Sequence, residues 1–204
     1  TLRALGERGD IIKTMHRAMT GKGFDADPAR LALHDDANGG RVIGRLVERG
    51  LHDELTGTAY VIVDGADGRI HHLRFPDLER TGDAAPGAIV ETSAWTDRKG
   101  RQQMCLLIRS DFTLERQIGA DGATWLDRQL VSPRLKSVAG GFGSEVREAL
   151  GKRADVLLEQ GLAKRQGQKI IYARNLLGTL RERDLAAASD ALASRHASTM
   201  QSAT

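Results

Sequence analysis

The chain has 204 residues, 40 % of them hydrophobic, and a net charge of +3. That length buries one good core or two modest ones, and with no apolar run of about 18 residues no membrane insertion is expected. No charged-then-apolar leader opens the chain. The single cysteine, Cys105, excludes an internal disulfide and a cysteine-based zinc cluster and suits a reducing cytoplasm.

The chain starts at Thr1 rather than Met, so we expect a piece cut from a longer protein. Residues 1–40 read as a helical leader. Asp10–Thr20 carries Ile11, Ile12, Met15 and Met19 at helical spacing, with Asp10 as a candidate cap and Gly21 and Gly23 as the stop. A second short helix is expected from Asp27 through Leu33, with Pro28 at its first position. The polar run Asp35–Gly40 reads as a loop and a boundary. His16 and His34 show no ligand spacing and are expected at the surface.

Residues 41–111 change period. Val42–Arg49, Thr58–Asp64, Arg69–Phe75, Ala88–Trp95 and Gln102–Arg109 read as strands, with turn clusters at Asp64–Gly68 and Asp97–Gly100. Five short strands in that span suggest a small β-barrel or a strongly curved sheet.

Residues 112–195 turn helical again, and residues 196–204 are expected as a disordered tail. Thr113–Ile118 and Ala123–Val131 are short helices, the second with Trp125, Leu126 and Leu130 toward a core. A longer helix runs over Glu145–Gln160, with Ser144 as N-cap, an apolar stripe of Val146, Leu150, Ala154 and Leu157, and Gly161 as its C-terminal glycine. Leu162–Arg165 and Gln168–Tyr172 then form a basic hairpin around Gln166-Gly167. A last helix carries Leu176, Leu177, Leu180, Leu185, Ala188 and Leu192 on one side. Two short helices, a long helix, a hairpin and a helix give the order of a winged-helix module. The fold class is therefore read as α+β: N-terminal helices, a small five-stranded β-barrel or curved sheet, then a winged-helix-like helical domain.

Catalytic chemistry finds little support. A metal pair on a strand needs i and i+2 spacing, and the adjacent His71 and His72 point to opposite faces, one inward and one outward. His52-Asp53-Glu54 is a polar loop that no spacing rule marks as a metal site. Cys105 lies in the apolar run Met104–Ile108 and reads as core filler. No Gly-x-Ser-x-Gly elbow and no phosphate-binding glycine loop is present, so no enzyme, no metal and no cofactor are expected.

Charge points elsewhere. Residues 1–40 balance six basic with six acidic side chains, residues 41–111 carry ten and eleven, and residues 112–204 carry fourteen and ten. The positive excess thus lies with the helix–hairpin–helix. Lys164, Arg165 and Lys169 of the hairpin and Arg147, Lys152 and Arg153 of the preceding helix are the candidate nucleic-acid-binding residues. Glu145, Glu148, Asp155 and Glu159 on the same helix oppose them. With Phe142 and Tyr172 as the only flanking aromatics, no base-stacking platform is expected there.

Several longer phrases carry a resemblance. Leu5–Met19, Gly44–Gly57, Trp125–Leu130, and Gly161–Gln168 with Leu180–Leu185 resemble the region downstream of the nuclease domain in bacterial conjugative relaxases (mobilisation nucleases). The likeness runs from about Leu2 to Leu185 and reaches a domain of unassigned function in plasmid and integrative-element relaxases. It implies a parent protein that nicks one DNA strand with a tyrosine and a metal held by a His-hydrophobic-His pair. His71-His72 lacks the intervening residue, so no catalytic residue carries over. The resemblance implies a cytoplasmic, non-catalytic segment of a DNA-transfer protein. It is expected to bind origin-region DNA, duplex or single-stranded, or to dock on relaxosome or type IV secretion coupling proteins.

Overall fold

The computed structural model describes residues 2–33, 40–135 and 140–201; His34, Lys136 and most of the Asp35–Gly40 loop lie outside them. The chain forms two compact units, Thr1–Leu114 with Leu135–Glu148, and Glu115–Arg134 with Ala149–Thr204.

The first unit opens with helix α1, Leu2–Gly21, eight residues longer at its start than the apolar stripe indicates. Asp10 is therefore inside the helix rather than its cap. Its early turn is held from outside, because Glu7 Oε1 accepts a bond from Arg74 Nη2 at 2.5 Å. Asp27 then caps a single 3-10 turn, Pro28–Arg30, its carboxylate accepting from Ala29 N–H. The chain continues extended as β1, Leu31–Leu33, where a helix was expected.

Five strands follow within one or a few residues of their expected limits: β2 Ile43–Asp53, β3 Thr58–Gly65, β4 Ile70–Phe75, β5 Ile89–Thr96 and β6 Gln102–Ser110. Together with β1 they make a six-stranded sheet in the order β1-β4-β3-β2-β5-β6. All pairings are antiparallel except that of β1 with β4. Among the described residues the sheet is mixed and open, not a closed five-stranded barrel, since β1 bonds only to β4 and β6 only to β5. Register shifts at Leu46/Glu48, Leu51/Asp53 and Ile89/Val90 bend it.

Both faces of the central strands are covered. Val61, Val63, Leu73 and Phe75 join Leu46, Val90 and Leu106 in one core. Met15, Ala18 and Met19 of α1 pack with Val47, Ile62 and Ile70 in the other. For this reason His71 and His72 are both buried, rather than one of them exposed. Cys105, on the edge strand β6, is half-buried rather than core filler.

The second unit contains α2, Leu114–Ile118, and α3, Trp125–Val131. Thr124 and Asp127 form a reciprocal capping box at the start of α3. Helix α4 spans Gly141–Glu159, so Ser144 lies inside it and is not its N-cap. It ends in a Schellman motif: Gly161, at φ 73°, donates to Leu158 O and Leu162 N–H donates to Leu157 O at 2.9 Å. Strands β7, Ala163–Gln166, and β8, Lys169–Tyr172, pair as a hairpin. Leu157, Ala163, Leu176 and Leu180 form this unit's core.

Helix α5 spans Leu176–Gln201 and covers most of the segment expected to be a disordered tail. Ala, Leu and Arg favour helix, and the Ser194, Ser198 and Thr199 hydroxyls bond carbonyls four residues back. Its stripe buries only at the start. Leu185 and Leu192, expected on the packed side, are exposed. Among the described residues no helix is long and apolar enough to cross a membrane.

Candidate nucleic-acid interface

The β7–β8 hairpin turns through Gly167-Gln168, with Gly167 at φ 61° and, among the described residues, no non-glycine residue at positive φ. Positive φ at the first turn residue alone is the type II′ pattern, which suits the strand twist. Directly opposed residues of an antiparallel pair share a face. Ala163 pairs with Tyr172 and Arg165 with Ile170, and this face carries the buried Ala163 toward the core. Lys164 pairs with Ile171 and Gln166 with Lys169, and all four are exposed on the outer face.

The six cations expected at this interface therefore separate. Lys164 and Lys169 share the outer face, and among the described residues neither has a carboxylate partner. Arg165 lies on the other face and reaches Asp155 of α4, Nη2 to Oδ1 at 3.4 Å. Lys152 and Arg147 are exposed on α4. Arg153 is 0 % exposed. Its five N–H groups meet both Asp127 carboxylate oxygens and the carbonyls of Ile118, Ala120 and Gly122 at 2.6–3.1 Å. Arg153 consequently leaves the nucleic-acid set, because a guanidinium so enclosed reaches phosphate only if the unit opens. Two of the opposing acids are also neutralised: Asp155 by Arg165, and Glu145 by Arg45 at 2.7 Å.

Sequence reasoning missed a second feature. In the first unit, Glu7, Ile11, Arg17, Leu51, His52 and His72 help line a cleft of about 310 Å³ between α1 and the sheet. The His72 ring stacks on Tyr60 at 5.3 Å between centroids and 5° between planes, and lies edge-on to His52 at 6.4 Å. Burial, helped by the Arg74 and His52 charges, pushes the His72 imidazole down to about 4, so it is neutral at pH 7. Burial and the neighbouring Glu48 carboxylate raise the Tyr60 hydroxyl, which donates to Glu48 Oε1 at 3.2 Å. His52 Nε2 stands 3.9 Å from Glu7. Asp53 ends β2, its carboxylate accepting from Leu55 N–H in the following turn at 2.8 Å. Among the described residues no three His, Cys, Asp or Glu side chains gather to hold a metal. Only the β2–β3–β4 register brings His52, Tyr60 and His72 together, which no local spacing announces.

These features define an α+β protein with a six-stranded mixed sheet and a two-stranded hairpin that bears cations on its outer face. The chain belongs to the family described as "Protein of unknown function (DUF3363)", matched over residues 1–103 and 92–204. No curated protein and no solved structure matches it.

Proposed function

We propose that the chain is a non-catalytic, DNA-binding accessory segment of a conjugative relaxase, working in the cytoplasm on plasmid or integrative-element DNA. The observation that carries this reading is the outer hairpin face, where Lys164 and Lys169 stand exposed without carboxylate partners among the described residues. Two further facts support it. The element order α2, α3, α4, β7, β8 matches the one expected of a winged helix, in which the hairpin would be the wing, and the phrases quoted above resemble the post-nuclease region of relaxases. Ammonium groups on such a wing contact phosphate and carry little sequence information. Within the same unit Lys152 is a secondary contact, and Arg165, already held by Asp155, contributes less.

Fluorescence anisotropy with a labelled duplex and a labelled single strand, at two salt concentrations, tests this. Lys164→Ala with Lys169→Ala is expected to weaken binding about tenfold or more. It should also flatten the slope of log K against log salt by about 2, one unit for each ammonium–phosphate pair removed. Absence of binding at low salt, or a double variant that binds like the parent, would sink the proposal.

A second reading rests on α5, where Leu185 and Leu192 are exposed at helical spacing. A type IV secretion coupling protein or relaxosome subunit would cover them. Leu185→Glu with Leu192→Glu should then abolish binding to the purified coupling protein and leave DNA affinity unchanged; retained binding counts against docking there.

A further inference from the structure

Beyond the core, the β5–β6 hairpin projects as a two-stranded ribbon. From Ala94 through Gln102 every side chain except that of Asp97 is exposed, and none of them joins a buried core cluster. On it stands Trp95, 42 % exposed and paired across the ribbon with Gln103. The Arg80 guanidinium lies over the indole, 5.4 Å from the ring centroid. Arg80 Nη1 is out of contact with water and has no hydrogen-bond partner among the described residues. Its cation therefore steadies the ring without being consumed by an acid.

The tip of the ribbon is positive and its turn is closed by hydrogen bonds. Arg98, Lys99 and Arg101 follow Asp97 there. The Asp97 carboxylate turns inward, accepting from the backbone N–H groups of Lys99 and Arg101 at 2.8 and 3.0 Å, from Arg101 Nε at 2.9 Å and from Gln103 Nε2 at 3.1 Å. These bonds hold the carboxylate below its usual range, the backbone donation from Arg101 first. Asp97 thus cancels Arg101 and shapes the turn, leaving the Arg98 and Lys99 charges outward.

An exposed indole on a projecting strand serves no core. Beside two outward cations it has the two parts that unpaired nucleic acid requires: a flat face for a base and positive charge for the backbone. A paired duplex hides its base faces, so it cannot use the indole. We infer that the β5–β6 ribbon binds single-stranded nucleic acid, with one base stacked on Trp95 and flanking phosphates held by Arg98 and Lys99. This contact lies in the first unit and shares with the proposed function only the class of ligand, so the two stand or fall separately.

The chain has two tryptophans, and Trp125 is 5 % exposed, so quenching of intrinsic fluorescence reports mainly on Trp95. The full chain is titrated with an oligothymidine strand and with a blunt duplex of equal length, anisotropy being recorded on labelled copies. The single strand is expected to quench the emission and the duplex to leave it nearly unchanged. Trp95→Ala should weaken single-strand binding about fivefold or more, the usual loss for a stacked base, with duplex affinity and the circular dichroism spectrum unaltered. Arg98→Ala with Lys99→Ala should flatten the salt dependence for the single strand alone. Anisotropy that reports binding without quenching, or quenching equal for strand and duplex, overturns the ribbon and leaves the hairpin proposal intact. Single-strand quenching that persists in the Lys164→Ala, Lys169→Ala variant, with duplex binding also unaffected, upholds the ribbon and removes the hairpin.

Discussion

Each unit buries an arginine–aspartate contact, and the two are built differently. In the second unit Arg153 and Asp127 are both fully enclosed, every guanidinium N–H has an acceptor, and Asp127 also accepts from Thr124 N–H and Oγ1 at 2.8 Å. In the first unit the buried Asp64 serves two arginines that keep some contact with water: Arg30 Nη2 at 2.6 Å and Arg45 Nη2 at 3.3 Å. Arg45 also pairs with Glu145, lies 4.0 Å over the Phe24 ring, and leaves its Nε buried without a partner among the described residues. One node is closed and satisfied; the other is shared and partly open. A closed node tolerates loss of neither partner, because the survivor is left as an unpaired buried charge. A shared node redistributes.

The comparison breaks most sharply at Arg153. Arg153→Met should destabilise the second unit by about 3–5 kcal/mol, the usual effect of removing one partner of a buried pair. Arg153→Lys should recover little, since an ammonium offers three donors and no fork to a site with five acceptors. Urea unfolding followed at Trp125 in a Trp95→Phe background reads this unit. A loss below about 1 kcal/mol would mean the node is no tighter than a surface pair.

Asp64→Asn is expected to cost less, about 2 kcal/mol, the range for hydrogen bonds to charged groups. Arg30 retains Asp25 and the carbonyls of Asp25 and Gly68, and Arg45 retains Glu145. Unfolding followed at Trp95 in a Trp125→Phe background measures it. A loss equal to that of Arg153→Met would erase the distinction between the two nodes.

The strands were legible because their alternation and turn residues are local signals, and β2 to β6 fall close to where those place them. β1 was not, because three apolar residues acquire their strand identity only from parallel pairing with β4. Arg153 is instructive. Its charge alone groups it with the surface cations, yet it stands four residues before Leu157 and seven after Val146, on the buried stripe of α4. Thr124-x-x-Asp127 likewise spells a capping box. What the sequence could not show is that the carboxylate of that box is the partner of that arginine, 26 residues away. The Lys164/Lys169 face was latent in the hairpin register, whereas the His72 cleft needed three strands and a helix to be placed first.

His72 supplies the third way a buried polar group is accommodated, with no acid partner among the described residues. It stays neutral, stacked on Tyr60, its pKa lowered by burial to about 4. Since the unfolded chain binds a proton near pH 6.5 and the folded one does not, stability must fall as pH drops from about 6.5 to 4 and level off below. Each unit of pH in that window weighs about 1.4 kcal/mol, so the loss by pH 4.5 is on the order of 2 kcal/mol. Carboxylates held low in the fold, such as Glu7 and Asp53, lose their contribution as pH falls through the ordinary carboxylate range, below most of the His72 window. His72→Phe keeps an aromatic ring against Tyr60 and removes the titration. It should flatten the profile between pH 6.5 and 4.5 while stability at pH 7.5 changes little. A slope that survives the substitution would show that the proton is taken up elsewhere.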